Sequence, residues 1–231
     1  MKRGREIYFI MTVIMFIVIY LASNILGGTR INIGSITASI TVFIYPITYF
    51  IIILFKERYG KQEAFNLLSY AVFSLIVYAL IVTLVGVFPV DGGKELLNID
   101  YRVIFASITA FFITHMLHLF LYDYLNNNKV VNFLISSVLS ISVNTILFIG
   151  LSFVGTMPIN DLTLLFAGEF IINVLVVCLL SLCFKSCVFE IIDAKIREDE
   201  QAIKESDNIV VKEVIKKVSK PRGKTKKSLD K

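Results

Sequence analysis

Six long apolar runs limit the folds open to this chain more than any other feature of its sequence. Each run reaches the roughly 20 residues that an α-helix needs to cross the hydrocarbon core of a bilayer. Within lipid a helix satisfies its own backbone hydrogen bonds, whereas an open strand does not. We therefore predict an all-α, polytopic membrane protein, a bundle of six transmembrane helices. The predicted spans are residues 7–26, 36–55, 65–88, 103–121, 130–154 and 162–188.

The basic residues predict how the bundle is oriented. Lys and Arg accumulate in the cytoplasmic loops of membrane proteins, and one side of this chain carries only Arg30, Lys94 and Arg102. Both termini are therefore expected in the cytoplasm of a multi-pass cell-membrane protein, with residues 191–231 as a charged cytoplasmic tail. The basic surface is expected to face lipid rather than nucleic acid. The residues on the richer side are Lys2, Arg3, Arg5, Lys56, Arg58, Lys61, Lys129 and the lysines of the tail.

A proline interrupts the second run. Pro46 has no backbone N–H, so inside a continuous helix it would free the Val42 carbonyl and bend the helix. A freed carbonyl in lipid needs another donor or a cavity. The sequence thus predicts a bend that makes room for a solute, with Tyr45 and Tyr49 placed to stack on a planar ring.

Two histidines lie within the fourth span. A polar side chain inside a span is costly unless it is paired, so each one is a candidate functional residue. His115 and His118 are three residues apart and share a helix face. Two imidazoles fall short of the three or four ligands of a zinc site, so no metal site is predicted. Lining of a solute cavity and hydrogen-bonded packing both remain open for this pair.

The fifth and sixth spans carry further polar side chains at helical spacing. Ser136, Ser140 and Asn144 follow one another at intervals of four, which places them on one side of the fifth span. Glu169 and Asn173 are likewise four residues apart on the sixth span. Stripes of this kind fit a solute site and tight helix packing equally well.

Signatures of catalysis and of ATP hydrolysis are absent from the sequence. It contains no Gly-x-x-x-x-Gly-Lys-Ser/Thr phosphate loop, and no nucleophile–base pair or metal-ligand cluster stands out. The three cysteines lie on one late apolar run without disulfide or metal spacing, and we interpret them as small apolar fillers. We therefore predict neither an enzyme nor a bound cofactor.

Several short stretches occur in a characteristic order and spacing. They are Asn24 within Ala22-Ser23-Asn24, Tyr45-Pro46-Ile47-Thr48-Tyr49 with Tyr59-Gly60, Arg102 with Ala106-Ser107, Ser136-Ser137, and Glu169. Together they resemble the vitamin uptake transporter family, also described as queuosine precursor transporters, over about residues 15 to 190. The chain departs from the family pattern where buried charged or amide groups are replaced, at Ile53, His115, His118, Asn144 and Asn173.

The resemblance implies an integral membrane transporter that imports a small planar solute, a queuosine precursor of the 7-deazaguanine type or a vitamin-like compound. The alternatives are a membrane substrate-binding subunit of a multi-component vitamin importer and a degenerate member with altered substrate. The implied partners are the solute and the lipid bilayer, while a homo-oligomer and an energising partner stay open. A site in the middle of the membrane between spans 2, 4, 5 and 6 is expected. The candidate substrate-binding residues are Asn24, Tyr45, Thr48, Tyr49, His115, His118, Ser136, Asn144, Glu169 and Asn173.

Overall fold

Six long α-helices make up most of the structure, a computed structural model that describes residues 2–27, 29–33, 36–86, 101–125 and 127–218. Within these residues, six helices are long and apolar enough to cross a membrane, which confirms the predicted all-α, polytopic fold. The predicted end of the third span, residues 87–88, and the last part of the tail, residues 219–231, lie outside the described residues. The helices are α1 (Lys2–Ile25), α2 (Tyr45–Tyr59), α3 (Lys61–Gly86), α4 (Tyr101–Tyr124), α5 (Lys129–Phe153) and α6 (Ile159–Val218).

A β-hairpin joins α1 to α2, and it corrects the predicted start of the second span at residue 36. Strands β1 (Arg30–Ile33) and β2 (Ile36–Ser39) pair antiparallel, with Arg30 opposite Ser39. A single 3₁₀ turn, Ile40–Phe43, follows, and the Ser39 hydroxyl accepts a hydrogen bond from the Thr41 backbone N–H. The apolar run is thus continuous in sequence but changes structure at Ser39, because this side chain caps the turn.

The prediction that Pro46 lies inside a continuous helix is also wrong. Pro46 lies in the first turn of α2, which begins at Tyr45. A first-turn residue has no intrahelical acceptor for its N–H, so a proline there costs no hydrogen bond, and its fixed φ suits the start of a helix. The proline therefore starts α2 after the 3₁₀ turn instead of bending a longer helix.

This position has a measurable consequence for stability. We expect Pro46→Ala to change the free energy of unfolding by only about 1 kcal/mol or less, since the proline mainly restricts the unfolded chain. If the proline instead bent the interior of a helix, its replacement by alanine would stabilise the fold by about 3 kcal/mol. Thermal unfolding in detergent, followed by circular dichroism, distinguishes these two expected changes. A large stabilisation by Pro46→Ala would contradict the first-turn position.

The ends of several helices meet at one end of the bundle and are joined there by charge. Lys56 at the end of α2 pairs with Asp123 at the end of α4, and Lys61 at the start of α3 reaches the same carboxylate at 3.2 Å. Glu57 on α2 pairs with Lys129 at the start of α5. We call these five residues the ion-pair end. Near it, the Phe9 ring of α1 packs against Phe55 and Tyr59, with centroids 5.2 and 5.1 Å apart.

Helix α2 has no exposed side chain, whereas each of the other five spanning helices buries one side and exposes large apolar side chains on the other. On α2, Ile52 and Ile53 are fully buried. On α6, Leu175, Leu179 and Leu182 are more than half exposed, as expected of side chains that face lipid.

The helix α6 is much longer than a membrane span. Its apolar part is Ile159–Ile191, and the helix continues to Val218. The chain divides into two units after Phe189, so residues 190–218 form a helical unit of their own among the described residues.

Candidate functional site

A cavity of about 510 Å³, its open mouth included, lies among the helices at the end opposite the ion-pair end. We call this the cavity end. It is bounded by the end of α1, the 3₁₀ turn, the starts of α2 and α4, and parts of α5 and α6. The lining residues are Ser23, Asn24, Gly27, Thr41, Val42, Tyr45, Val103, Ser107, Asn144, Phe148, Glu169 and Asn173.

The depth of the cavity follows from positions along the helices. Val103 is close to the start of α4, whereas Asn144 lies nine residues before the end of α5 and Glu169 ten residues after the start of α6. At 1.5 Å per residue, those two side chains lie roughly 15 Å from their helix ends, near the middle of a 30 Å hydrocarbon layer. The cavity therefore extends from one helix end to about the middle of the bundle.

Tyr45 and Asn144 form the central contact of the cavity. The Tyr45 hydroxyl donates to Asn144 Oδ1 at 2.9 Å, and the Thr114 hydroxyl lies 3.5 Å from the same oxygen. Tyr45 comes from the first turn of α2, so the position of Pro46 also places this ring at the cavity. The contact joins α2, α4 and α5 through one amide.

Asn24 joins α1 to α4 on another wall. Its Nδ2 donates to the Tyr20 carbonyl at 2.8 Å, and the Ser107 hydroxyl donates to its Oδ1. Both the oxygen and the nitrogen of this amide are hydrogen-bonded within the protein.

Arg102, which begins the Arg…Ala-Ser stretch, does not line the cavity. Its guanidinium instead donates to the carbonyls of Leu151 and Val154 at 2.6 Å each, where α5 ends and its last carbonyls lack helical partners.

Glu169 is the one acidic side chain among the described residues that line the cavity. It is 6% exposed, and its electrostatic neighbours are the Ser39 backbone and the Arg30 guanidinium. Arg30 also reaches the loop before α6, with one guanidinium nitrogen 3.1 Å from the Met157 sulfur. One turn after Glu169, the buried Asn173 has no hydrogen-bond partner for Oδ1 among the described residues.

The remaining predicted site residues lie outside the cavity lining, in a buried polar layer next to it. The His115 ring stacks on Tyr49 with centroids 4.2 Å apart, and its Nε2 is 2.9 Å from the Thr48 hydroxyl. His118 Nε2 is 3.3 Å from the Tyr49 carbonyl. Ser136 donates to the Asn132 carbonyl of its own helix at 2.6 Å. These side chains fill the space between helices and are not part of the cavity lining.

The structure therefore brings together half of the predicted set. Asn24, Tyr45, Asn144, Glu169 and Asn173 line the cavity, whereas Thr48, Tyr49, His115, His118 and Ser136 do not. The expected location between spans 2, 4, 5 and 6 omitted α1, which contributes one wall. Ser23, adjacent to the predicted Asn24, and Ser107, within the quoted Ala106-Ser107 pair, could have been found from the sequence. Apolar lining residues such as Val103 and Phe148 carry no local signal, because lipid-facing positions have the same composition.

The bundle is closed between the cavity and the ion-pair end. Phe133 on α5 stacks on Phe184 on α6 with centroids 4.4 Å apart, and Phe50 on α2 lies 6.0 Å from each of them. The Tyr122 hydroxyl donates to Glu57 at 3.1 Å, which links this aromatic layer to the ion pairs. The cavity thus lies towards one end of the bundle, and aromatic rings and charge pairs fill the space towards the other.

Comparison with protein families gives a match. Residues 39–188 match the model of a family described as putative vitamin uptake transporter. No curated protein and no solved structure matches the chain significantly. The matched region begins at the last residue of β2 and includes α2 to α5 and most of the apolar part of α6. It therefore contains nine of the twelve lining residues and leaves out those of α1 and Gly27.

Proposed function

Because the chain belongs to the vitamin uptake transporter family, which the match to residues 39–188 shows, we propose that it imports a small planar solute across the cell membrane. Family membership indicates a multi-pass membrane transporter for vitamin-like solutes. The finer proposal is a queuosine precursor of the 7-deazaguanine type. It rests on the chemistry of the cavity and on the family resemblance.

The observation that carries the proposal is a cavity that combines an aromatic ring, amides and one carboxyl. The Tyr45 ring offers a face for a flat heterocycle. Glu169 and the unpaired Asn173 Oδ1 are hydrogen-bond acceptors. A ring edge rich in N–H donors, such as that of a 7-deazaguanine, would complement them. Concave sites lined by apolar and aromatic groups with a few placed polar groups are typical of small-molecule binding.

The closed end of the bundle supports the transport step. Transporters alternate access to a site near the middle of the membrane by opening one side while the other is closed. Here the layer of Phe50, Phe133 and Phe184 with the ion pairs is the closed side. The distribution of Lys and Arg assigns that side to the cytoplasm. In this orientation the cavity faces outward, the state that an importer uses to accept its solute.

A membrane substrate-binding subunit of a multi-component importer is the second candidate. The sequence contains no phosphate-binding loop for ATP, so transport driven by ATP would require a separate ATPase subunit. Such a subunit would bind the same solute in the same cavity but would transport it only with an ATPase partner. Uptake by the purified chain alone in vesicles therefore separates the two candidates.

We test solute binding by thermal unfolding of the purified protein in the presence of 7-deazaguanines, other nucleobases and vitamins. A solute that binds only the folded state adds about 2.7 kcal/mol of stability at a hundredfold excess over its Kd. We expect a 7-deazaguanine to raise the melting temperature, and Asn144→Ala to remove that shift. If only a vitamin raises the melting temperature, the proposed solute would be that vitamin, and the proposed site would stay the same. Absence of a shift throughout the panel would contradict the proposed function.

A further inference from the structure

We infer that Glu169 is a proton-binding site through which the proton gradient drives solute import. This inference rests on the proposed function and adds its energy source. A carrier that accumulates solute must couple to another gradient or to ATP, and the sequence carries no phosphate loop. Buried carboxyls on the path of the solute are the groups that proton-coupled transporters use.

The surroundings of Glu169 contain few other charges. Arg30 of β1 is the charged neighbour, and Tyr45 of α2 is the other titratable side chain of the cavity. The walls from α1, α4 and α5 present neutral groups, Asn24, Ser107 and Asn144 among them. A proton on Glu169 would therefore change the charge of the cavity directly. In the part of the chain that the structure describes, Arg30 is the one charged group that would compensate for the unprotonated form.

Asn173 provides the independent observation. Its Oδ1 is buried and has no donor among the described residues, and it lies four positions after Glu169 on the same helix face. A carboxylate only accepts hydrogen bonds, whereas a protonated carboxyl also donates one. Binding of a proton to Glu169 would supply the kind of donor that the amide oxygen lacks. The second lone pair of that oxygen and the carbonyl oxygen of the protonated carboxyl would remain acceptors for the N–H groups of the solute.

The coupling sequence follows from the cost of a charge in a closed, dry cavity. An ionised carboxylate near the middle of the membrane is unfavourable unless water or a cation accompanies it. A proton that enters through the cavity end neutralises Glu169 and lets the cavity close around the solute. Opening of the ion-pair end then releases the solute, and water on that side accepts the proton from the carboxyl oxygen. One proton and one solute move inward in each cycle.

A proton suits the site better than a metal cation. One carboxyl oxygen is enough to bind a proton, whereas hard cations such as Ca²⁺ take six or more oxygen ligands. Among the described residues near Glu169, Asn173 Oδ1 is the one buried side-chain oxygen of the cavity without a partner. If sodium drove import instead, accumulation in the experiment would follow a sodium gradient.

The experiment uses the full chain in proteoliposomes with labelled 7-deazaguanine. Accumulation under an inward proton gradient and counterflow without a gradient are measured in the same vesicles, and their ratio is the readout. At one proton per solute, a gradient of one pH unit balances roughly a tenfold solute gradient. We expect wild type to approach this value and Glu169→Gln to lose gradient-driven accumulation, so that the ratio falls roughly tenfold even where binding is weakened.

Two variants control for folding and for charge. Glu169→Asp keeps a carboxyl and is expected to keep gradient-driven accumulation, although with a weaker response. Asp161→Asn changes an exposed acidic residue in the first turn of the same helix and is expected to leave the ratio at the wild-type value. An unchanged ratio in Glu169→Gln would overturn the inference. Wild-type accumulation that follows a sodium gradient, or that requires an added ATPase, would also overturn it.

A failure of the proposed function would give a different result from a failure of the proton site. If wild type shows no counterflow of labelled 7-deazaguanine, the solute proposal fails, and proton binding is then read by infrared spectroscopy during a pH titration. We expect a carbonyl band of a protonated carboxyl in wild type that is missing from Glu169→Gln. Identical band patterns in the two proteins would overturn the proton site independently of the solute.

Discussion

Replacing Asn144 with alanine is expected to reduce uptake of labelled 7-deazaguanine by about 10- to 100-fold while the protein remains in the membrane. Asn144 Oδ1 accepts from Tyr45 at 2.9 Å, and this contact positions the ring that faces the cavity. Alanine leaves the Tyr45 hydroxyl without this acceptor and removes an amide from the wall. A buried polar group left without its partner costs about 1–3 kcal/mol, which corresponds to the expected range.

The measurement is the initial uptake rate, normalised to the amount of protein in the membrane fraction. Ser142→Ala is the matched control, because Ser142 lies on the same helix but donates to its own Val138 carbonyl at 2.6 Å and does not line the cavity. We expect this variant to transport like wild type. Asn144→Asp keeps an acceptor for Tyr45 and should retain more uptake than alanine. Normal uptake by Asn144→Ala would remove this residue from the site.

Replacing His115 with alanine is expected to destabilise the fold by about 3 kcal/mol, in the range for truncating a buried ring. The side chain is fully buried, stacks on Tyr49 at 4.2 Å and lies 4.1 Å from the Phe111 ring. It also holds two hydrogen-bond contacts of 2.9 Å, to the Thr48 hydroxyl and the Phe111 carbonyl. Alanine removes all of these contacts and leaves a cavity between α2 and α4.

Thermal unfolding in detergent tests this structural role. For a chain of this size, 1 kcal/mol corresponds to about 2–4 °C, so we expect the melting temperature to fall by roughly 6–12 °C. Phe112→Ala on the same helix is the control, because this ring is 41% exposed and its truncation should have a much smaller effect. The molecules that remain folded should still bind solute. A normal melting temperature with loss of solute binding would return His115 to the substrate site.

The contrast between these two residues shows why only half of the residues predicted from polar patterns line the cavity. Ser136, Ser140 and Asn144 share one side of α5, yet only Asn144 lines the cavity. Eight residues of helix separate Ser136 from Asn144, which is about 12 Å along the axis. Periodicity gives the direction in which a side chain points around the helix. It does not give the depth at which neighbouring helices leave a space.

The second span shows the same limit for local structure. Its apolar run is continuous from residue 36, and nothing in its hydropathy marks the change from strand to 3₁₀ turn to helix. Pairing of β2 with β1 and the cap at Ser39 decide this change. Pro46 is compatible with a bend inside a helix and with the first turn of one. The strand pairing and the Ser39 cap end the preceding structure, and Pro46 therefore lies in the first turn of α2.

The sequence by itself determined the fold class, the number of spans and the family, because all three depend on properties of local stretches. A run of about 20 apolar residues has to form a helix in lipid wherever its neighbours lie. The tertiary structure alone decided which polar side chains face the cavity and which are buried in packing. The physical reason is that lipid is as apolar as a protein interior, so hydropathy does not separate outer from inner faces. Those faces are distinguished only once α1, α2, α4, α5 and α6 meet.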